Sequence, residues 1–307
     1  MFITHYEVDG KTTLVLAKKF MKEIGKYAIC DYSNVDETVN KYLDTIEYYK
    51  NTDSILIITD ISISRETANR IEELKHMFNF LLLIDHHPSN NYYLNKYEWC
   101  QLGHEDTSST KIFYNYLTQI GLIRDDSYDE LVTAVDEWDT MMWEATGNEK
   151  SKIMNDLAYN LKTNDFLNRF MMNPSLELSK KEKLILGIRE EEIQATISKI
   201  QPTFNGNTCY VFVDKFIKEI SEHIFVSYPN VEIIILVNPV NGSVSYRSRD
   251  NHYDVSEIAK RNGGNGRTAS SGSKLKAETV SKIINLILED GYQDYTQLRL
   301  GNVDNAG

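Results

Sequence analysis

The apolar run Leu81-Leu82-Leu83-Ile84 empties directly into Asp85-His86-His87-Pro88, and this junction restricts the architecture of the chain more than any other segment. A short apolar stretch without alternation reads as a strand buried on both faces, which belongs in a parallel sheet covered by helices. In open sheets of this kind, functional groups gather beyond the carboxyl ends of the strands. Asp85, His86 and His87 are therefore expected to face a cleft.

The same pattern recurs. Phe2-Ile3-Thr4 leads into His5-Tyr6-Glu7-Val8-Asp9-Gly10, where His5, Glu7 and Asp9 alternate and would share one side of an extended segment. Ser54-Ile55-Leu56-Ile57-Ile58-Thr59 ends at Asp60, and Asp136-Glu137-Trp138-Asp139 follows the apolar stretch Leu131 to Val135. Imidazole together with carboxylate suits first-row divalent ions, and an excess of carboxylate leans from zinc toward Mn²⁺ or Mg²⁺. His5, Glu7, Asp9, Asp60, Asp85, His86 and Asp139 outnumber the ligands that one ion needs. Two ions roughly 3.5–4 Å apart, sharing a carboxylate, are expected, and such a pair clamps the oxygens of phosphoryl transfer.

These residues resemble the motifs of the DHH phosphoesterase superfamily, whose name is the Asp85-His86-His87 triplet. His5-Tyr6-Glu7-Val8-Asp9-Gly10 is similar to its first motif, usually His-x-Asp-x-Asp-Gly; Asp60 is similar to its second and Asp139-Thr140 to its fourth. Asp254-Val255-Ser256-Glu257-Ile258-Ala259 followed by Gly263-Gly264-Asn265-Gly266 resembles the substrate-binding module called DHHA1. Trp138-Asp139-Thr140 and the Val-Ser-Glu-Ile-Ala stretch look most like the nanoRNase or oligoribonuclease branch. Two departures stand out. Glu7 occupies a position usually held by Asp, and Arg267 stands where the family commonly has His; arginine forks onto phosphate but cannot act as a neutral donor or acceptor.

The resemblance implies a metal-dependent phosphodiesterase that hydrolyses short oligonucleotides to mononucleotides. In this reading two Mn²⁺ ions, or Mg²⁺, are held by the seven residues named above. Asp85 and His87 are catalytic, His87 as a partner of the substrate phosphate, while Arg247, Gly263, Gly264, Gly266 and Arg267 bind the neighbouring nucleotide. The two departures keep other readings open: hydrolysis of cyclic mono- or dinucleotides or of 3′-phosphoadenosine phosphate, or sequestration of a nucleotide without turnover.

Length and patterning agree with an α/β protein. At 307 residues the chain exceeds the usual size of one domain. Segments 12–25, 36–50, 65–79 and 109–120 read as helices and 2–6, 27–31, 54–59 and 81–85 as strands, which gives a doubly wound parallel sheet over 1–150. A helical connector is expected over 151–202. A smaller α/β unit over 203–307 follows, with strands at 208–213, 231–237 and 243–248 and helices near 215–226, 254–261 and 276–289. Ser108-Ser109-Thr110 reads as the cap of the helix after it, and a helix N-terminus facing the cleft could also bind an anion.

Composition narrows the partners. The net charge of -12 opposes binding to long duplexes, which needs a basic track, and favours a short oligonucleotide or a nucleotide. Three widely spaced cysteines oppose a disulfide framework. No apolar run suffices for a membrane span, and the N-terminus lacks the pattern of a signal peptide, so a cytoplasmic monomer or homodimer is expected.

Overall fold

The computed structural model describes residues 1–276 apart from 23, 88–92 and 105, together with 278–279 and 281–282. The chain divides into two compact units, Met1–Leu186 and Gly187–Gly307.

The first unit is built on five strands: β1 (Phe2–His5), β2 (Tyr27–Cys30), β3 (Ser54–Thr59), β4 (Phe78–Asp85) and β5 (Cys100–Leu102). They lie in the order β2-β1-β3-β4-β5, and every pairing is parallel. The helices are α1 (Val8–Phe20), α2 (Val35–Tyr49), α3 (Arg65–Glu73), α4 (Ser109–Gln119), α5 (Asp129–Asp139), α6 (Trp143–Thr146), α7 (Glu149–Asn160) and α8 (Thr163–Met172).

Alternation along the strands divides the core between the two faces of the sheet. Phe2, Ile57, Leu82 and Ile84 meet Leu14, Leu16, Phe113, Leu131 and Val135 on one side. Ile3, Leu56, Ile58 and Leu83 meet Val39, Leu43, Ala68 and Ile71 on the other. The doubly wound sheet expected from the sequence is therefore present. Helices α7 and α8 also belong here, because Met154, Leu157, Phe166 and Phe170 are buried in the first of these clusters. This differs from the expected connector over 151–202: apolar residues at helical spacing dock its first half onto the sheet domain. The helix α9 (Lys180–Ile197) crosses the boundary between the units.

Two boundaries move for local reasons. Helix α1 begins at Val8 rather than near residue 12, with Gly10 in its first turn packed against the end of β1. A Cβ on Gly10 would stand 2.4 Å from the carbonyl oxygen of His5, so the close approach of helix to strand needs glycine. The expected helix 65–79 stops at Glu73, and a short 3-10 turn leads into β4 at Phe78. At the centre of the sheet, Thr4 Oγ1 donates to the carbonyl oxygens of Gly10 (2.9 Å) and Thr59 (3.1 Å), and the Thr13 and Thr59 hydroxyls pair at 2.7 Å. These bonds satisfy the buried hydroxyls and tie β1, β3 and α1 together where their ends converge.

The second unit has a mixed sheet. Its strands are β6 (Thr203–Asn205), β7 (Thr208–Phe212), β8 (Ile233–Asn238), β9 (Ser243–Ser248), β10 (Asn265–Gly266) and β11 (Ser270–Lys274), in the order β10-β11-β9-β8-β7-β6. Only β7 and β8 pair in parallel among the described residues. Helices α10 (Ile217–Ser227) and α11 (Val255–Arg261) complete it. The helix expected near 276–289 lies largely outside the described residues. No described helix is long and apolar enough to cross a membrane.

Candidate metal centre

The order β2-β1-β3 reverses direction at β1, and ligands in such sheets bind at this switch point, beyond the carboxyl ends. His5 ends β1, Asp60 directly follows β3, and Asp85, His86 and His87 close β4. Asp60 adopts a left-handed backbone (φ 60°), which Asp tolerates better than most residues, and its N–H donates to the Ile84 carbonyl at 2.9 Å.

The imidazoles and carboxylates converge in two overlapping groups. His5 Nδ1 lies 3.8 Å from Glu7 Oε2 and 3.7 Å from Asp60 Oδ2. His86 Nε2 lies 3.7 Å from Asp60 Oδ1, 4.0 Å from Asp9 Oδ2 and 3.1 Å from Asp139 Oδ2. Asp60 thus offers one oxygen to each group. His87 joins Asp60 and His86 in a further set of ligand atoms within 4.8 Å of one another.

His5, Asp9, Asp60 and His86 are buried, and buried His5 Nδ1 and Asp60 Oδ2 have no hydrogen-bond partner. Burial, followed by the charges of Asp9 and Asp139, pushes the Asp60 carboxyl well above the usual carboxylate range. Burial also pulls the His5 imidazole below its ordinary value, which favours the neutral form that ligates metal. Converging carboxylates around buried polar atoms that lack a partner call for a cation, and the donor set suits a divalent ion.

Asp9 shows how the fold prepares this site. It stands in the first turn of α1 rather than on an extended segment, and its carboxylate accepts the backbone N–H groups of Ser109 (2.9 Å) and Thr110 (2.7 Å). The amino end of α4 therefore holds an anion, as helix N-termini do, and that anion is a side chain of the protein. Ser108 caps α4 as expected: its Oγ accepts Lys111 N–H at 3.1 Å. Asp136 accepts the N–H of Ser108, and Glu137 accepts from Asn148 and Ser151, so both brace α5 beside Asp139.

Asp85 is placed differently from the expectation that it ligates metal. Its Oδ1 accepts the N–H of His86 (2.9 Å), the N–H of His87 (3.3 Å) and Nδ1 of His87 (2.7 Å), while its Oδ2 accepts the Ser62 hydroxyl. Burial drives its carboxyl upward, but these bonds to His87 and Ser62 outweigh it and hold the group below its usual range. Asp85 is thus occupied in orienting the two histidines. Ser62 was not singled out in the sequence; the serine beside the β3 end was the available signal.

Of the residues expected to bind substrate, Arg247 lies on β9, half-buried, and its Nη1 donates to the Tyr246 carbonyl at 3.0 Å. Arg267 is exposed at the turn joining β10 to β11. The glycines have a packing role: a Cβ on Gly264 would stand 1.9 Å from the Gly272 carbonyl oxygen, and one on Gly266 would stand 2.4 Å from Ser271 Cα. Gly263 has φ 75°. Arg249 is absorbed structurally, donating to the carbonyls of Val231, Phe225 and Tyr228. His76, His104, His223 and His252 are exposed.

A doubly wound sheet with histidines and carboxylates at its switch point defines an α/β domain with a candidate metal centre. No model of a known protein family matches the chain. Oligoribonuclease NrnB of Bacillus subtilis (strain 168) is 25% identical over 297 residues, which cover 92% of this chain and 74% of that protein. A 3′,5′-cyclic-nucleotide phosphodiesterase of Helicobacter pylori (strain ATCC 700392 / 26695) is 23% identical over 184 residues, 56% of this chain and only 51% of that protein. Among solved structures, exonuclease RecJ bound to manganese shares the fold, with a TM-score of 0.57 at 12% identity, over 97% of this chain and 92% of that one. The likeness to an oligoribonuclease thus runs along 92% of the chain, and the fold is that of exonuclease RecJ, in keeping with the resemblance read from the sequence.

Proposed function

We propose that this chain is a divalent-metal-dependent phosphodiesterase that hydrolyses short oligonucleotides to mononucleotides. The observation that carries this reading is the convergence of His5, Glu7, Asp9, Asp60, His86 and Asp139 at the switch point, four of them buried. The likeness to oligoribonuclease NrnB supports the choice of substrate.

His5, Glu7 and Asp60 would hold one ion, and Asp9, Asp60, His86 and Asp139 a second, with Mn²⁺ the preferred metal for such a donor set. The ions would supply Lewis acidity toward the phosphoryl group and lower the pKa of water toward neutrality. Around them the chain's own residues set the geometry. The α4 amides fix the direction of the Asp9 carboxylate, and Asp85 fixes the ring orientation and tautomer of His87 through Nδ1. His87, so held, would bear on a non-bridging oxygen of the phosphate and stabilise charge there. In the second unit, Arg247, Gly263, Gly264, Gly266 and Arg267 are the residues that would contact nucleotide.

The test is nucleotide release with Mn²⁺ from two- to five-residue RNA and DNA, beside cyclic mononucleotides, cyclic dinucleotides and 3′-phosphoadenosine phosphate. Turnover of the short oligomers is expected. Asp85→Ala should lower kcat/KM by roughly 10- to 100-fold, the usual cost of losing a group that orients metal ligands. Turnover confined to the cyclic substrates would move the function to that class, and an unimpaired Asp85→Ala protein would overturn the assigned role of Asp85.

A further inference from the structure

The rim of the metal centre carries two tyrosines to which no role has been assigned. Tyr6 follows His5 directly, and their ring centroids are 4.4 Å apart. Tyr32 comes from the loop after β2, and its centroid lies 5.6 Å from His5 and 6.2 Å from His87, edge-on to the latter. Pairing of His5 with Cys30 across β1 and β2 brings the loop 31–34 alongside residue 6. Both tyrosines keep much of their surface open, Tyr32 at 51% and Tyr6 at 43%.

Tyr32 is also presented on a braced turn. Asp31 Oδ1 accepts the N–H of Ser33 at 2.7 Å and its hydroxyl at 2.5 Å, while the Asp31 N–H donates to Asn34 Oδ1 at 3.0 Å. A backbone held in advance loses less conformational entropy when a ligand settles on the ring it carries. Any nucleotide whose phosphate meets His87 and the carboxylate cluster carries its base one ribose away, and Tyr32 stands one ring beyond the two imidazoles. In a chain of net charge -12, capture through a neutral π-face avoids the repulsion that a phosphate-tracking groove would meet.

We propose that Tyr32, flanked by Tyr6, is the stacking shelf for the nucleobase next to the reacting phosphate, which makes it a specificity residue for nucleotides over base-free phosphates. This proposal rests on the phosphodiesterase reading of the same site. The experiment is titration calorimetry of the full chain with Mn²⁺, comparing 5′-AMP with ribose 5-phosphate for the wild type, Tyr32→Ala and Tyr32→Phe. Stacking of one base predicts a preference for 5′-AMP of roughly 5- to 150-fold in the wild type, lost in Tyr32→Ala and kept in Tyr32→Phe. Binding of ribose 5-phosphate reports that each variant is folded.

A wild type that binds both ligands equally, or a Tyr32→Ala protein that keeps the preference, would overturn the shelf. Oligonucleotide turnover measured on the same samples separates this result from the parent reading. A protein that prefers 5′-AMP through Tyr32 yet cleaves no oligomer refutes the reaction and upholds the shelf. One that cleaves oligomers while its preference ignores Tyr32 does the reverse.

Discussion

Asp60→Asn should reverse its effect on stability according to whether metal is present. Asp60 is buried, its Oδ2 has no hydrogen-bond partner, and Asp9 and Asp139 reinforce burial in pushing its carboxyl upward. Asparagine keeps the side-chain shape and tolerates the left-handed φ of 60°, so the substitution changes charge more than geometry. Without metal, a buried uncompensated carboxylate is costly, and protonation caps the cost; relief of about 1–3 kcal/mol is expected on removing it. For a unit of this size each kcal/mol moves Tm by about 2–4 °C, so the variant should melt roughly 2–12 °C above the wild type in EDTA. With Mn²⁺ at about 100 times its Kd, the wild type gains about 2.7 kcal/mol, and the variant, having lost the carboxylate shared by both groups, gains far less. Differential scanning calorimetry in EDTA and in Mn²⁺ reads both effects. A variant that is less stable than the wild type in EDTA, or that keeps the full Mn²⁺ shift, refutes the claim that these carboxylates converge to hold a cation.

Two further substitutions test the frame that positions the site. Gly10→Ala places a Cβ 2.4 Å from the His5 carbonyl oxygen and 2.7 Å from Thr4 Oγ1, so the strand-to-helix turn must open; a loss of about 2–4 kcal/mol in urea denaturation is expected, and a loss under about 0.5 kcal/mol would contradict the packing. The Tyr128 hydroxyl donates to the Phe170 carbonyl at 2.9 Å, and burial followed by the charge of Asp125 pushes the phenol up to about 12. Because the folded value lies above the unfolded value of about 10, the unfolded chain ionises first: the stabilisation is complete below pH 10 and is lost as the pH rises toward 12, by up to about 3 kcal/mol. Tyr128→Phe should be less stable by about 1 kcal/mol at pH 8 and should show a flatter decline across that window in pH-dependent denaturation.

The sheet and its ligand-bearing ends were legible because a parallel strand leaves a plain trace. Four apolar residues ending in Asp85-His86-His87 can hardly be placed elsewhere than at a strand's carboxyl end. The strand β5 was not legible, since Cys100-Gln101-Leu102 is too short to show a period. Spacing sets Asp9 on an extended segment with His5 and Glu7, whereas the helix already begins at Val8, because Gly10 lets α1 pack closely against His5 and spacing does not reveal that packing. Helices α7 and α8 read as a connector because their apolar faces gain meaning only against the sheet domain that buries them. Asp85 carried the family's signature and so looked like a ligand; only the bonds to Ser62 and His87 show it working from behind. Tyr32 lay in view at the end of β2, yet nothing in 19 tyrosines separated it from the rest until the register of β1 with β2 set it beside His5.

Several costly features meet at the switch point, and their clustering is itself informative. Elsewhere many buried groups among the described residues are paired: the threonines of β1, β3 and α1 satisfy one another, Arg169 meets Glu182 at 2.8 Å, and Tyr128 finds a carbonyl. At the switch point a non-glycine residue sits at positive φ, carboxylates of like charge converge, and buried His5 and Asp60 atoms lack partners. Each of these costs stability, and natural chains tolerate such violations where the site needs them. The support around them is correspondingly dense: amides of α4 hold Asp9, Asp136 holds Ser108, and Asp85 holds both histidines. A carboxylate that was merely tolerated would relax outward into water; Asp9 is pinned inward by neutral amides, which cannot neutralise it but can keep it in place until a cation does.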